Sequence, residues 1–421
     1  MDRAVVVGAG LAGLVAAERL SAAGHRVLLL EASSRAGGRC RSFHDDRLGR
    51  TIDNGNHLIL SANRRVLDWA ARIGGAAALR TGEAAFPFLD LAGGARYAIA
   101  PGRGPWGGLR AAARPPGVTL GVAAGQMARL LAARRGVTVA QALPDRGPLW
   151  CAFWDPMTRA VLNEPPEAGD AGLLRATILR SFARGAAACR PVFAPEGLGP
   201  ALVDPALSLL ARRGVDLRLR SPVRAIAFDG GRAASLAAGG GEVPLGPGDR
   251  LILALPAPAA AALLPDLGLP GAGRPILNAH FLVPDNGLPP LLGLLGGAAQ
   301  WLFRRGDVVS ATVSAADASP LAERPREAAL AGLWDEVAAA IRAHGGRVPA
   351  ERPPARLLRE RAATFDQSPA GAARRQPAAT RWPNVLLAGD HARTGLPATL
   401  EGAVVSGEAA ARAASRGRGP R

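Results

Sequence analysis

The first forty residues constrain the fold of this chain more than any other stretch. A short apolar run, Ala4 to Val7, leads into Gly8-Ala9-Gly10-Leu11-Ala12-Gly13. An apolar helical pattern follows, and a second apolar run, Val27 to Leu30, ends at Glu31. Strand, glycine-rich turn, helix and strand in this order predict a βαβ unit that holds a dinucleotide. Gly8 permits the tight turn, Gly10 lets a pyrophosphate approach the backbone, and Gly13 lets the helix pack on the strand. Ala9 lies in that turn, and the helix start at Leu11 and Ala12 offers free N–H groups and a partial positive charge to phosphates. Glu31, followed by Ala32, stands about 20 residues past the glycines, where a carboxylate accepts from ribose hydroxyls. The glycine pattern alone is weak in a chain with 53 glycines. The flanking strand, the helix and the spacing of the acid give it weight.

A second element is Arg35-Ala36-Gly37-Gly38-Arg39. Two glycines between arginines suit a second pass of backbone along a pyrophosphate. Flavoproteins of the amine oxidase and phytoene desaturase superfamily carry such a segment, and NAD enzymes do not usually need it. The resemblance favours FAD, and the lack of a cysteine in the C-terminal segment points to non-covalent binding. Near the other end, Asn384 to Asp390 reads as a buried strand closing on Gly389-Asp390. About ten residues later a helix opens around Leu400-Glu401-Gly402-Ala403. In such flavoproteins the aspartate, here Asp390, accepts from ribityl hydroxyls. The helix start at Leu400, Glu401 and Ala403 points its dipole at flavin O2 and N1, stabilising reduced flavin. Between these ends lies Asp53-Asn54-Gly55-Asn56-His57, polar and bounded by apolar residues. A plain turn is one reading. In flavoproteins of this architecture the equivalent segment passes beside the isoalloxazine, which makes Asn54, Gly55 and Asn56 cofactor contacts and puts Asn56 and His57 toward substrate. Val223, after Ser221-Pro222, would use its backbone on the adenine.

The expected fold is α/β: a discontinuous Rossmann-type FAD-binding domain with an inserted α+β substrate domain, amine-oxidase-like. Residues 1–83, 185–262 and 380–421 form the first, and 84–184 and 263–379 the second. Strands are expected at Phe86 to Leu91 and Arg96 to Ala100. Four more, Ile276 to Val283, Leu291 to Leu295, Gln300 to Arg304 and Val308 to Val313, form an antiparallel sheet. Helices are expected from Gly197 to Arg213 and from Arg326 to Ala343, and a strand from Ala355 to Thr364. Aromatic residues concentrate between Trp150 and Phe182, as core or as the wall of an apolar tunnel. The tail, Arg412 to Arg421, should fray.

The formal charge is +17, carried by arginine alone. An Arg-, Ala-, Gly- and Pro-rich composition is what genomic base composition produces, and it also suits attraction to anionic lipid. One tyrosine and no recognised basic-aromatic motif argue against nucleic acid. Cys40, Cys151 and Cys189 are odd in number and widely spaced. That gives neither a metal set nor a disulfide framework and suits a reducing cytoplasm. No signal-peptide pattern opens the chain, and no run reaches the ~20 apolar residues of a membrane span. A cytoplasmic protein, peripheral on the inner membrane through Trp106 among its arginines and prolines, is the matching expectation.

Nearly end to end, the chain resembles the squalene-associated FAD-dependent flavoproteins, the hydroxysqualene dehydroxylases of bacterial hopanoid pathways. The resemblance rests on Gly37-Gly38-Arg39-Cys40-Arg41-Ser42, Ile52 to His57, Ala85-Phe86-Pro87-Phe88, Leu162-Asn163 with Pro165-Pro166, and Ala187 to Pro191. Further matches are Asn278-Ala279-His280-Phe281, Val313 to Asp317, Ala362 to Phe365, Leu387 to Asp390 and Thr394 to Thr399. His391-Ala392-Arg393 departs from the Trp-containing stretch expected there. The resemblance implies removal of a hydroxyl from a long apolar isoprenoid, with hydride from reduced flavin and an external reductant. Hydroxide leaves poorly, so an acid should assist; the candidates are His57, Asp53 and Glu401, in that order. The rivals are a carotenoid-type desaturase, an amine oxidase and a non-enzymatic prenyl-binding protein. The amine oxidase reading is weakened by the absence of lysine and the single Tyr97.

Overall fold

Side chains alternate across a strand, so a strand buried on both faces must be apolar throughout. Ala4 to Val7 and Val27 to Leu30 meet that condition, and their strands, Arg3–Val7 and Arg26–Leu30, pair in parallel within a five-stranded sheet. In this computed structural model, which describes residues 3–102 and 114–416, the order is Asp216–Arg218, Arg26–Leu30, Arg3–Val7, Arg250–Leu253 and Val385–Leu387. All four pairings are parallel. Ala4, Val6, Leu29 and Ile252 face the helices Leu11–Ala22 and Leu400–Ser415. Val5, Val7, Leu28 and Leu251 face the opposite way, onto the antiparallel strands Val223–Asp229, Arg232–Ala238 and Gly241–Pro244 and the helix Ala257–Leu263. First and last helices thus share one face of the sheet, and the two ends of the chain meet at the strand tips.

The second layer is a seven-stranded sheet. Its order is Ala355–Glu360, Ile276–Leu282, Val308–Val313, Trp301–Arg305, Leu291–Leu295, Phe86–Asp90 and Arg96–Ile99. Only the pairing of Leu291–Leu295 with Phe86–Asp90 is parallel. Leu277, Ala279, Phe281, Val309, Ala311 and Val313 pack on the helix Arg326–Ala343. The alternate residues Asn278, His280, Ser310 and Thr312 are polar and also buried, so this sheet turns a polar, enclosed face toward the nucleotide layer. The helices Leu120–Ala132, Asp155–Leu162 and Ala171–Arg180, with the π-helical turn Trp150–Trp154, cover its far end through Leu130, Met157, Ile178 and Trp154.

Three expectations need correction. The tail is not frayed from Arg412: the helix runs to Ser415 because Ala410, Ala411 and Ala414 are buried in the core of the nucleotide layer; residues 417–421 lie outside the described residues. The segment Gly197 to Arg213 is not one α-helix: a π-helical turn, Gly199–Val203, precedes an α-helix, Asp204–Arg212. Pro205 brings no N–H to the ladder there, and the extra residue in the turn accommodates that loss. The strand Ala355–Glu360 stops short of Thr364, and Ala362, Ala363 and Thr364 leave the sheet to line the cavities described next. Trp106 lies outside the described residues. Among the described residues no helix is long and apolar enough to cross a membrane.

Candidate active site

The dinucleotide motif lines a cleft whose space, its open mouth included, is about 1620 Å³. Gly8 has φ +100°, a conformation that L side chains rarely adopt, and a Cβ on Gly13 would run into the Gly8 carbonyl oxygen. These two glycines serve the fold. Gly10 is different. Its φ of −72° suits any residue, and a Cβ there would meet no protein atom within 4 Å. The space beside Gly10 is therefore reserved for something the chain does not supply, at the start of the Leu11–Ala22 helix where N–H groups face the cleft. A phosphate-bearing group fits that cradle.

Most of the expected cofactor residues come together there. Gly8, Gly10, Leu11, Ala12, Glu31, Ala32, Gly37, Gly38, Arg39, Val223, Gly389, Asp390, Leu400 and Ala403 all line the cleft. Ala9 does not, but its N–H donates to Glu31 Oε2 at 2.8 Å, and Ser33 N–H donates to Glu31 Oε1 at 2.9 Å. The Glu31 carboxylate is held at the tip of its strand with lone pairs to spare for ribose hydroxyls. Gly13 sits behind the lining, and Arg35 is exposed to solvent. Arg39 donates to Asp390 Oδ2 at 2.7 Å and to the Ala363 carbonyl at 2.7 Å. Burial raises the Asp390 carboxyl, but the Arg39 charge beside it outweighs this and holds it below the usual carboxylate range.

A second, predominantly apolar cavity of about 1480 Å³, open mouth included, runs between the polar face of the seven-stranded sheet and the covering helices. Phe86, Met157, Val161, Phe182, Trp301 and Phe303 form its apolar wall. It meets the dinucleotide cleft at Arg39, His57, Glu360, Ala363, Thr399 and Leu400, which line both. Asn54, Gly55 and Asn56 line the second cavity beside this junction. Asn56 Nδ2 donates to Thr312 Oγ1 at 2.9 Å and to Asn278 Oδ1 at 3.3 Å, which ties the segment to the sheet floor. His57 Nδ1 lies 3.0 Å from the Gly55 carbonyl. A carbonyl only accepts, so Nδ1 carries the proton, and Nε2 is the nitrogen that gains or loses one. Burial lowers the His57 pKa below its ordinary value.

The two carboxylates are placed differently. Asp53 lies off both cavities: Oδ2 accepts from Arg305 at 2.7 Å, and Oδ1 accepts from Leu198 N–H at 3.1 Å and from the Ser42 hydroxyl. Glu401 lines the apolar cavity, yet its oxygens accept from Arg65 N–H at 3.2 Å and Val66 N–H at 3.0 Å. It caps the first turn of the helix Arg64–Ile73 from 335 residues away. The helix that carries it, Leu400–Ser415, is capped in turn by Thr399 Oγ1, which accepts from Gly402 N–H at 3.1 Å.

Three residues at the site were not anticipated as site residues. Glu360 lines both cavities and accepts from Asn54 Nδ2 at 3.2 Å. Asn163, at φ 52°, accepts from Ala315 N–H at 2.6 Å and donates to the Arg274 carbonyl at 2.7 Å, locking the end of the helix Asp155–Leu162 to the sheet. Arg375 is 4% exposed. Its guanidinium donates to the carbonyls of Asp390 at 3.0 Å and Leu396 at 2.7 Å and to Thr394 Oγ1 at 3.1 Å, fixing the loop between the Gly-Asp pair and the last helix. No sequence signal pointed to Arg375, because its partners are mainly backbone. His391 is buried, with neither ring nitrogen bonded among the described residues, and burial lowers its pKa to about 4. Tyr97 stacks on Phe88 and is absent from the lining of either cavity.

Comparison with known proteins agrees with this geometry. Residues 11–415 match the family of flavin-containing amine oxidoreductases. The chain is 41% identical over 411 residues to a hydroxysqualene dehydroxylase of Rhodopseudomonas palustris, covering 96% of each chain. It is 39% identical over 410 residues to that of Zymomonas mobilis, covering 96% of this chain and 97% of the other. Cyclohexylamine oxidase from Brevibacterium oxydans shares the fold at a TM-score of 0.76 and 15% identity, over 99% of both chains. The chain belongs to the flavin-containing amine oxidoreductases and, within them, to the hydroxysqualene dehydroxylase family.

Proposed function

We propose that this enzyme removes the hydroxyl of hydroxysqualene reductively, giving squalene, with FAD bound non-covalently. The observation that carries the reading is the junction: an apolar cavity opens onto the dinucleotide cleft at His57, Arg39 and Glu360. The isoprenoid chain lies along Phe86, Met157, Val161 and Trp301, and its hydroxyl lies at the polar junction. FAD, held at Gly10, Glu31, Gly38 and Asp390, supplies hydride when reduced, and an external reductant restores it. The division of labour follows the two sheets, with residues 1–83, 185–262 and 380–421 holding cofactor and 84–184 and 263–379 holding substrate.

The chain's own tasks are three. His57, protonated at Nε2, donates to the departing hydroxyl, so that water leaves and the C–O electron pair goes with it. His57 is preferred to Asp53 and Glu401 because their carboxylates are already committed to Arg305 and to the Arg64–Ile73 helix start. The apolar wall excludes water that would trap the allylic cation before hydride reaches it. Arg375 and Thr399 hold the last helix and its preceding loop at the junction. A bilayer-dissolved substrate places the enzyme at the membrane surface as a peripheral protein. The test is purified chain with FAD, a chemical reductant and hydroxysqualene, extracted and resolved by mass. Squalene is the expected product; unchanged alcohol would overturn the reading. Yellow colour released with the supernatant on acid precipitation would mark the flavin as non-covalent.

A further inference from the structure

A helix on a protein surface normally buries one apolar stripe and turns charged or polar residues to water. The helix Leu120–Ala132 does not. Its buried side carries Gln126 and Leu130. Its exposed residues are Leu120, Gly121, Val122, Ala124, Gly125, Ala128, Arg129, Leu131 and Ala132, so a single charge interrupts an otherwise apolar face. Leu120, Val122 and Leu131 are 40%, 43% and 42% exposed. Arg175 donates to the Leu131 and Ala133 carbonyls at 3.0 and 2.9 Å. This brings up the helix Ala171–Arg180, on which Leu179, one turn beyond Arg175, is 44% exposed. Four of the described chain's six large exposed hydrophobic residues therefore lie on these two adjoining helices.

The chain that forms and flanks this face is mainly basic, although Asp145 accepts from Gln126 of the helix at 2.8 Å. Between Asp90 and Asp145 the sequence has no acidic residue and seven arginines. Between Asp170 and Glu196 it again has none, with Arg175, Arg180, Arg184 and Arg190. Arg134 and Arg135, just past the helix, are exposed and form no ion pair among the described residues. An apolar face bordered by unpaired arginines is complementary to an anionic bilayer, with aliphatic side chains in the headgroup–acyl boundary and guanidinium groups on the phosphates. Continuity with the substrate cavity points the same way. Met127, Ala123 and Leu130 of this helix pack in one cluster with Met157 and Phe182, which line the cavity.

We infer that the outer face of Leu120–Ala132, with Leu179, docks the enzyme on anionic lipid and sets the mouth of the apolar cavity against the bilayer. This takes from the proposed isoprenoid substrate only the reason for docking, and its test needs no turnover. The FAD-loaded full chain is sedimented with phosphatidylcholine vesicles and with vesicles that also contain phosphatidylglycerol, at low and at physiological salt. Wild type should bind the anionic vesicles and lose affinity with salt. Val122→Ser with Leu131→Ser should bind about tenfold more weakly, from the aliphatic surface removed. Arg134→Glu with Arg135→Glu should lose more, since one arginine near such a surface is worth about fivefold. Unchanged flavin spectrum and melting temperature certify the fold of each variant. Wild type that stays in the supernatant, or serine variants that bind as wild type does, would overturn the inference. So would a wild-type dimer that the serine variants dissociate, which would make this face an interface between copies of the chain.

Discussion

Glycines 10 and 13 are separated by one helical turn, and the structure assigns them opposite duties that a pair of alanine variants can resolve. At Gly10 the backbone is extended and nothing lies within 4 Å of an added Cβ. The folded protein should accept Gly10→Ala: a weaker N-cap is offset by lower entropy in the unfolded chain, leaving stability within about 1 kcal/mol. In a chain of this size that shifts the apoprotein's melting temperature by about 2 °C or less. The added methyl instead occupies the space kept for pyrophosphate. Overpacking a close contact costs roughly 1–3 kcal/mol, which weakens flavin binding by roughly 5- to 160-fold. At Gly13 the added methyl meets the backbone carbonyl of Gly8, so the same roughly 1–3 kcal/mol falls on the fold. The assay is flavin fluorescence titration beside thermal melting of apoprotein. Gly10→Ala should lose affinity with its apo melting temperature kept, and Gly13→Ala should lose melting temperature first. Equal losses of apo stability in both variants, with Gly10→Ala binding flavin normally, would refute the argument that the space at Gly10 belongs to the cofactor.

Other outcomes follow from the same geometry. His57→Gln should lower kcat/KM by roughly 10²–10⁴. Because burial lowers the His57 pKa and the acid form is the active one, wild-type kcat/KM should rise as pH falls and level off only below about 6.5; an unchanged profile in the variant would remove His57. Glu401→Gln should keep turnover while costing roughly 0.5–2 kcal/mol of stability, since its carboxylate caps a helix start; a large fall in kcat would contradict that. The folded-state Asp390 pKa lies below its unfolded value. Its stabilisation is therefore complete above the unfolded pKa of about 3.9 and lost as pH falls through the folded value. Asp390→Asn should flatten that acid limb in melting curves and weaken flavin binding. Arg375→Lys cannot reproduce the fork that spans four carbonyls and a hydroxyl; flavin should dissociate faster from it, measured by loss to a deflavinating column.

The nucleotide half was legible because its signals are local. Val-rich strands, glycines with fixed duties and a Gly-Asp strand end each announce themselves within about ten residues. The helix Arg326–Ala343 and the strands Phe86–Asp90 and Arg96–Ile99 were readable for the same reason, from period and turn residues. What stayed hidden depends on distant neighbours. Glu401 reads as a flavin-side acid until the Arg64–Ile73 helix start appears against it. Asp53 reads as part of a reactive cluster until Arg305 closes on it. Glu360 has no motif of its own and matters only because the chain leaves the sheet just after it. The helix Leu120–Ala132 carries no motif in the sequence; only the fold shows that its Leu120, Val122 and Leu131 are exposed.

The direct measurement of the central claim is an anaerobic single turnover, mixing the enzyme's reduced flavin with hydroxysqualene and following flavin absorbance and product together. The account predicts one squalene formed for each flavin oxidised, at a rate that fails in His57→Gln. Flavin that stays reduced while the alcohol remains intact would contradict it. So would electrons that flow only from an isoprenoid substrate into oxidised flavin.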